Sequence, residues 1–194
     1  MTPGKAVIFS APSGSGKTTI VRHLLEHVGL PMGFSVSATT RAPRGTEQNG
    51  VDYHFYSLEE FRALVAEDAF VEWEEVYPGK CYGTLKSELE RMWSAGEVAL
   101  FDVDVEGGVA LKEALGEAAL SIFVQPPSLA VLRDRLEGRG TDAPEVIEER
   151  LAKASRELAY ADRFDVVLVN DVLATACDEA VRTVRGFVGE TALP

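Results

Sequence analysis

The chain has 194 residues, 46% hydrophobic and 26% charged, which is typical of one globular domain with a sizeable core and excludes a disordered chain. Its net charge of −12 argues against a large nucleic-acid or anionic-membrane surface, because such surfaces need many lysines and arginines. Two cysteines, Cys81 and Cys177, are too few for a disulfide framework, and no long apolar run indicates export or membrane insertion. We therefore expect a cytoplasmic protein that binds neither nucleic acid nor membranes.

The first predicted elements are an apolar strand at 6–9, a glycine-rich loop and a helix that starts near Lys17. Glycines in the loop let backbone N–H groups point into one concavity, where the helix also directs its positive dipole end. We expect Lys17 to bind nucleotide phosphates and to act as a catalytic group, and we expect the Thr18 hydroxyl to bind Mg²⁺. The predicted phosphate-binding loop comprises Ala11, Pro12, Ser13, Gly14, Ser15, Gly16, Lys17, Thr18 and Thr19.

Residues 34–83 break the helix–strand alternation and are predicted as an inserted subdomain. Short strands are expected near 34–38, 52–56 and 70–77, with one helix near 57–67. Arg41 and Arg44 flank a proline in this block, and guanidinium groups match phosphate oxygens bidentately. A second phosphate site is therefore predicted here; solvated loop charges are the alternative.

Two carboxylates follow the apolar run 98–101. Asp102 closes this predicted strand and Asp104 comes two residues later. The carboxyl end of a buried parallel strand faces the crevice in which open α/β sheets bind ligands. Asp102 is therefore predicted to orient Mg²⁺. Capping of the next helix is the alternative, and it is more plausible for Asp104 than for Asp102.

An arginine-rich stretch at 133–150 is predicted to cover the site. Phosphoryl transfer needs positive charge near the migrating group, and Arg135, Arg139 and Arg150 are candidates for it. A surface helix would also carry such residues, paired with nearby glutamates. For Arg133 the two interpretations are balanced.

The whole pattern predicts an α/β fold with a doubly wound parallel sheet. Buried strands are expected at 6–9, 98–101, 120–124 and 166–169. Helical spacing of apolar residues separates them, at 17–28, 84–95, 106–115, 128–137, 144–160 and 172–188.

Taken together, these motifs resemble the guanylate kinase family over nearly the whole chain. The matches are the phosphate-binding loop, Ser35 to Arg44, Gly50 to Tyr53, Glu72-Trp73, Tyr82 to Thr84, Asp102 to Gly107, Arg135 to Asp142 and Val169 to Asp171. The resemblance implies a P-loop core at 1–33, 84–130 and 156–194, a GMP-binding subdomain at 34–83 and a lid at 131–155.

The resemblance also implies an ATP-dependent kinase of purine nucleotide metabolism that phosphorylates GMP, and dGMP as well, to the diphosphate with Mg²⁺. ATP and GMP are then its partners; monomer and homo-oligomer stay open. A phosphopeptide-binding module without activity and a kinase for another nucleoside monophosphate are the alternatives. The GMP phosphate ligands that the resemblance implies are Arg41, Arg44, Tyr53 and Tyr82, and the implied guanine ligands are Ser37, Glu72, Thr84 and Asp104. On the ATP side the resemblance implies Asn170, and at the transfer site it implies Arg135, Arg139 and Arg150.

Overall fold

The computed structural model describes residues 4–138, 140 and 143–189. The strands are β1 (Ala6–Ser10), β2 (Met32–Phe34), β3 (Ala38–Thr39), β4 (His54–Phe55), β5 (Phe70–Tyr77), β6 (Lys80–Leu85), β7 (Val98–Asp102), β8 (Ala119–Gln125) and β9 (Val166–Val169). The helices are α1 (Lys17–His27), α2 (Leu58–Ala66), α3 (Lys86–Ser94), α4 (Val105–Leu115), α5 (Leu129–Gly138), α6 (Pro144–Leu158) and α7 (Leu173–Val188).

A parallel sheet in the order β2-β7-β1-β8-β9 forms the centre of the molecule. Side chains alternate along β1: Val7 and Phe9 pack with α1 and α7 on one face, and Ala6 and Ile8 pack with α3 and α4 on the other. All four are fully buried. Helices therefore cover both faces, and the predicted mixed α/β fold with a parallel central sheet is confirmed.

A smaller sheet in the order β4-β3-β6-β5 stands beside the central one, with α2 packed on it. The expected strand at 34–38 is wrong, because the structure divides this segment: Phe34 pairs with Leu100 in the central sheet, and Ala38 begins the small sheet. The sequence prediction also missed β6, whose alternation is broken by the backbone-packed Gly83.

The outermost strand β9 departs from the expectation of burial on both faces. Val167 is 39% exposed and Val169 is 47% exposed, whereas Leu168 between them is buried. The reason is position, because β9 lies at the edge of the sheet and one of its faces lacks a covering helix in the described chain.

The arginine-rich stretch forms two packed helices. Leu132 and Leu136 of α5 contact Ile147, Leu151 and Ala154 of α6 in a small cluster of their own. The apolar spacing on α6 thus fixes which of its faces meets α5. None of the helices in the described ranges has the length and apolar composition needed to cross a bilayer.

Candidate active site

The loop between β1 and α1 has the backbone of an anion site. Gly14 and Gly16 have φ values of 96° and 92°, in the left-handed region that favours glycine. A Cβ on Gly14 would lie 2.9 Å from Leu132 Cδ1, and one on Gly16 would collide with the Asn170 amide. Helix α1 carries neither a side-chain cap nor an acidic residue in its first turn. Within the described chain, the N–H groups of Lys17 and Thr18 are therefore open to a phosphate, whereas that of Thr19 donates to the Gly16 carbonyl.

Lys17 lies at the carboxyl end of β7. Its Nζ is 2.7 Å from Asp102 Oδ1 and donates a hydrogen bond of 2.7 Å to the Val103 carbonyl. These groups line the phosphate cleft, a cavity of about 410 Å³ formed by residues 11–19, 102–104, Lys153 and Glu157. The predicted loop residues, Lys17 and Asp102 therefore surround one cavity.

The residues predicted to bind Mg²⁺ suit a metal ion that is held partly by the protein and partly by the phosphates of a bound nucleotide. The exposed Thr18 and the carboxylate of Asp102 line the same cleft. Within the described ranges, no three His, Cys, Asp or Glu side chains come together to hold a metal by themselves. Mg²⁺ is commonly bound by one or two protein oxygens together with substrate phosphates, and this donor set suits that arrangement.

A second cavity of about 350 Å³, named the guanine cleft after the ligand that the resemblance implies, meets the phosphate cleft along Asp102, Val103 and Asp104. It is lined by Ser37, Tyr53, Glu72, Glu74, Val76, Tyr77, Tyr82, Gly83, Asp102, Val103, Asp104, Gly107 and Lys153. Predicted GMP ligands from the small sheet and predicted ATP ligands from the central sheet therefore face each other across one edge. This shared edge is the main geometric feature of the site.

Glu72 is a partly buried carboxylate that lines the guanine cleft. It is paired across the β5–β6 ladder with Thr84, whose hydroxyl donates a 2.8 Å hydrogen bond to Glu72 Oε1. Burial raises the pKa of the Glu72 carboxyl to about 7, and the charges of Asp104 and Glu74 act in the same direction. Thr84 does not line the cleft and instead orients Glu72. Asp104 caps α4, as the alternative interpretation expected, by accepting from Gly107 N at 2.8 Å, and also lines the cleft.

Arg41 is buried and is held by Glu47, to which it donates two hydrogen bonds of 2.9 and 3.0 Å. Glu47 raises the pKa of Arg41 further above its ordinary value. The guanidinium carbon lies 5.1 Å from the centre of the Tyr53 ring, which in turn lies 6.2 Å from that of Tyr82. The structure thus groups Arg41, Tyr53 and Tyr82. Arg44 is exposed and contacts Glu47 through its backbone N–H.

The predicted ATP-side residues contact the phosphate-binding loop in different ways. Asn170 is buried behind the loop, where its Nδ2 donates to the Ser15 carbonyl at 2.8 Å. Arg135 Nη2 donates to the Asn170 carbonyl at 2.8 Å, and Arg150 Nη1 lies 3.3 Å from Ser13 Oγ. Asn170 and Arg135 therefore support the loop from behind.

The predicted cover contains two other arginines, Arg133 and Arg139. Arg139 lies outside the described residues. Arg133 forms an exposed ion pair with Glu148, which fits the interpretation as a surface pair.

Sequence reasoning missed three charged residues. Glu47 was not identified as the partner of Arg41, and Lys153 and Glu157 were not identified as lining the phosphate cleft. The available signal was helical spacing, because Arg150, Lys153 and Glu157 recur at three- and four-residue intervals along α6.

A parallel sheet with a glycine-rich loop after β1, a lysine at its helix and an acidic residue at the end of β7 defines a nucleotide-binding protein of the P-loop type. The guanylate kinase family model matches residues 3–186. The chain belongs to the guanylate kinase family.

Relatives and solved structures agree with this assignment. Guanylate kinase of Bacteroides fragilis is 53% identical over 95% of this chain and 90% of its own, and that of Porphyromonas gingivalis is 48% identical over 96% and 99%. The crystal structure of guanylate kinase from Anaplasma phagocytophilum has 30% identity and a TM-score of 0.72 over 99% of this chain and 90% of its own. TT1252 from Thermus thermophilus, at 17% identity and a TM-score of 0.52 over 96% of this chain and 99% of its own, shares the fold.

Proposed function

We propose that the protein transfers the γ-phosphoryl group of ATP to GMP, forming ADP and GDP, with dGMP as a further acceptor. Curated guanylate kinases at 48–53% identity support this kinase activity. The observation that carries the proposal is the common edge of the two clefts at Asp102 to Asp104, which brings a phosphate site and a base site into contact.

On the ATP side, the backbone N–H groups of the loop and the ammonium of Lys17 bind the phosphates. Phosphate oxygens would compete with Asp102 for Lys17, which releases the carboxylate toward a metal. Thr18 and Asp102 would hold Mg²⁺, which supplies charge neutralisation on the phosphate oxygens when bound. Asn170 serves ATP through the loop, because its amide holds the Ser15 carbonyl. Arg135, Arg139 and Arg150 supply the remaining positive charge, for which Arg135 would give up its hydrogen bond to the Asn170 carbonyl.

On the GMP side, Arg41, Arg44, Tyr53 and Tyr82 bind the phosphate, for which Arg41 exchanges Glu47 for phosphate oxygens. Ser37, Glu72 and Asp104 form the guanine site, to which Thr84 contributes by orienting Glu72. Guanine presents N1–H and its 2-amino group as adjacent donors, which one ionised carboxylate accepts together. Adenine presents a bare N1 acceptor to the same negative charge, so Glu72 both selects guanine and rejects adenine.

The reaction itself needs positioning and charge neutralisation more than acid–base chemistry. By the resemblance to the guanylate kinase family, we assign the GMP-binding subdomain to 34–83 and the lid to 131–155. Closure of both segments on the core would exclude water, so that the γ-phosphoryl group reaches GMP and not a water molecule.

A coupled assay of ADP release tests the proposal. With ATP and Mg²⁺, we expect turnover with GMP and dGMP and little with AMP, CMP or UMP. A phosphopeptide-binding module without activity would show no turnover with any acceptor, and a kinase of different specificity would prefer another base.

A further inference from the structure

Helix α6 presents a charged face toward the two clefts. Its apolar side chains, including Leu151 and Ala154, pack on α5 and fix the rotation of the helix. The neighbouring face carries Arg150, whose Nη1 is 3.3 Å from Ser13 Oγ of the phosphate-binding loop, so this face contacts the site. Lys153 and Glu157 follow Arg150 at three and seven residues, on the same side of the helix.

Lys153 occupies an unusual position on that face, because it lines both the phosphate cleft and the guanine cleft. The only other residues common to the two linings are Asp102, Val103 and Asp104, within the described part of the chain. Lys153 therefore lies beside the edge at which the two nucleotides would meet.

The present partner of Lys153 holds it weakly. Its Nζ is 3.5 Å from Glu157 Oε1, and its side chain is 66% exposed, whereas that of Glu157 is 11% exposed. An exposed lysine with one distant carboxylate and four flexible carbons changes partners at small cost. Glu157, being buried, has little freedom to follow it.

Carboxylates outnumber cations in the linings of the two clefts. Lys17 and Lys153 are the lysines or arginines among the described residues that line these clefts, and Lys17 is already paired with Asp102. Around them stand the carboxylates of Glu72, Glu74, Asp102, Asp104 and Glu157. A nucleoside monophosphate and a nucleoside triphosphate add further negative charge to this region, and charge neutralisation is the main demand of phosphoryl transfer.

We propose that Lys153 is a further phosphate-binding catalytic residue. Its ammonium moves away from Glu157 and contacts the oxygens of the migrating phosphoryl group. The inference rests on the proposed function. In the transfer, a GMP phosphate oxygen bonds to the γ-phosphorus of ATP while the bond from that phosphorus to the β-phosphate oxygen breaks, and ADP leaves with the electron pair. Lys153 neither gives nor takes a proton and contributes its charge alone.

Lys153→Met tests this role, with Arg156→Met as the matched control. Arg156 is an exposed cation on the same helix that lines neither cleft, so the control changes net charge equally. We expect Lys153→Met to lower kcat about 10- to 100-fold with KM for ATP and GMP changed less than about threefold, as for a contact made mainly in the transition state. Arg156→Met should retain wild-type kcat. Equal kcat for both variants would overturn the inference.

The double variant Lys153→Met/Glu157→Gln separates a phosphate contact from a structural ion pair. If Lys153 served only to neutralise the buried Glu157, removing that charge as well would restore kcat, and this result would overturn the inference. We expect the double variant to stay as slow as Lys153→Met. Failure of the proposed function has a different signature, because the wild-type protein itself would then show no transfer to GMP.

Discussion

At the scale of single residues, charged side chains of this site are held by partners within the chain. Lys17 is held by Asp102, Arg41 by Glu47, and Glu72 accepts from Thr84. Lys17 and Asp102 were identified from the sequence because one belongs to the glycine-rich loop motif and the other directly follows an apolar strand. Glu47 and Glu157 were not, because their roles depend on contacts that only the folded chain brings together.

Lys17→Ala is expected to leave the protein folded and to lower the rate of phosphoryl transfer by about 10²–10³-fold, because a preorganised cation on the phosphates is lost. Steady-state turnover of GMP and a urea unfolding curve measure the two effects. Wild-type turnover in this variant would contradict the role of Lys17 and favour a binding module.

Glu72→Gln keeps the side-chain volume, removes the charge and replaces one acceptor by a donor. We expect kcat/KM for GMP to fall by roughly 10²-fold or more while ATP affinity barely changes, and discrimination against AMP should fall as well. Thr84→Val is a milder companion, since it removes only the hydroxyl that orients Glu72. Unchanged GMP efficiency and AMP exclusion in Glu72→Gln would make Glu72 an ordinary strand residue.

The pKa of Glu72, about 7 in the free protein, predicts that GMP binding depends on pH. The proposed site binds guanine through the ionised carboxylate, in which case binding near pH 7 should release a proton and affinity should decrease as pH falls from 8 to 6. The free protein has the opposite linkage: the raised pKa makes the Glu72 contribution to stability decrease as pH rises from about 4.5 to 7. Calorimetry of GMP binding in buffers of different ionisation enthalpy measures the proton release, and Glu72→Gln should abolish this component.

At the scale of elements, the loop between β1 and α1 depends on a tight approach to the end of β9. Gly16→Ala would place a methyl group against the Asn170 amide at a φ of 92°. Gly96→Ala is the matched control, because it has a φ of 74° and open space around its Cβ, far along the chain from the loop.

We expect both glycine substitutions to lower the free energy of unfolding by about 1–2 kcal/mol, because both put an L-residue in the left-handed region. Only Gly16→Ala should also weaken ATP binding, by disturbing the loop. Titration with a fluorescent ATP analogue distinguishes them, and equal ATP affinity in the two variants would show that the approach of Asn170 to the loop does not matter.

At the scale of the whole molecule, the sequence predicted the central sheet well and the inserted block less well. Long apolar strands separated by amphipathic helices favour a parallel sheet with helices on both faces. Accordingly, β1, β7, β8 and the four helices around them appear where expected. The short strands β2 and β3 could not be told apart by period, because two or three residues carry no alternation, and β6 has a glycine where the pattern needs a side chain.

The proposed division into core, GMP-binding subdomain and lid predicts closure. Fluorescent labels on α2 and α6 should move closer when an analogue joining ATP and GMP binds, since both segments then contact one ligand. Labels on α3 and α7, within the core, provide the control pair. An unchanged distance between α2 and α6 would contradict the closure.

The most direct measurement of the central claim follows the γ-phosphoryl group itself. In a single turnover with excess protein, limiting ATP labelled at the γ-phosphate, Mg²⁺ and GMP, the meeting of the two clefts at Asp102 to Asp104 predicts that the label passes directly into GDP. Without GMP the label should stay in ATP. Label in inorganic phosphate or on the protein, with none in GDP, would contradict the proposed reaction.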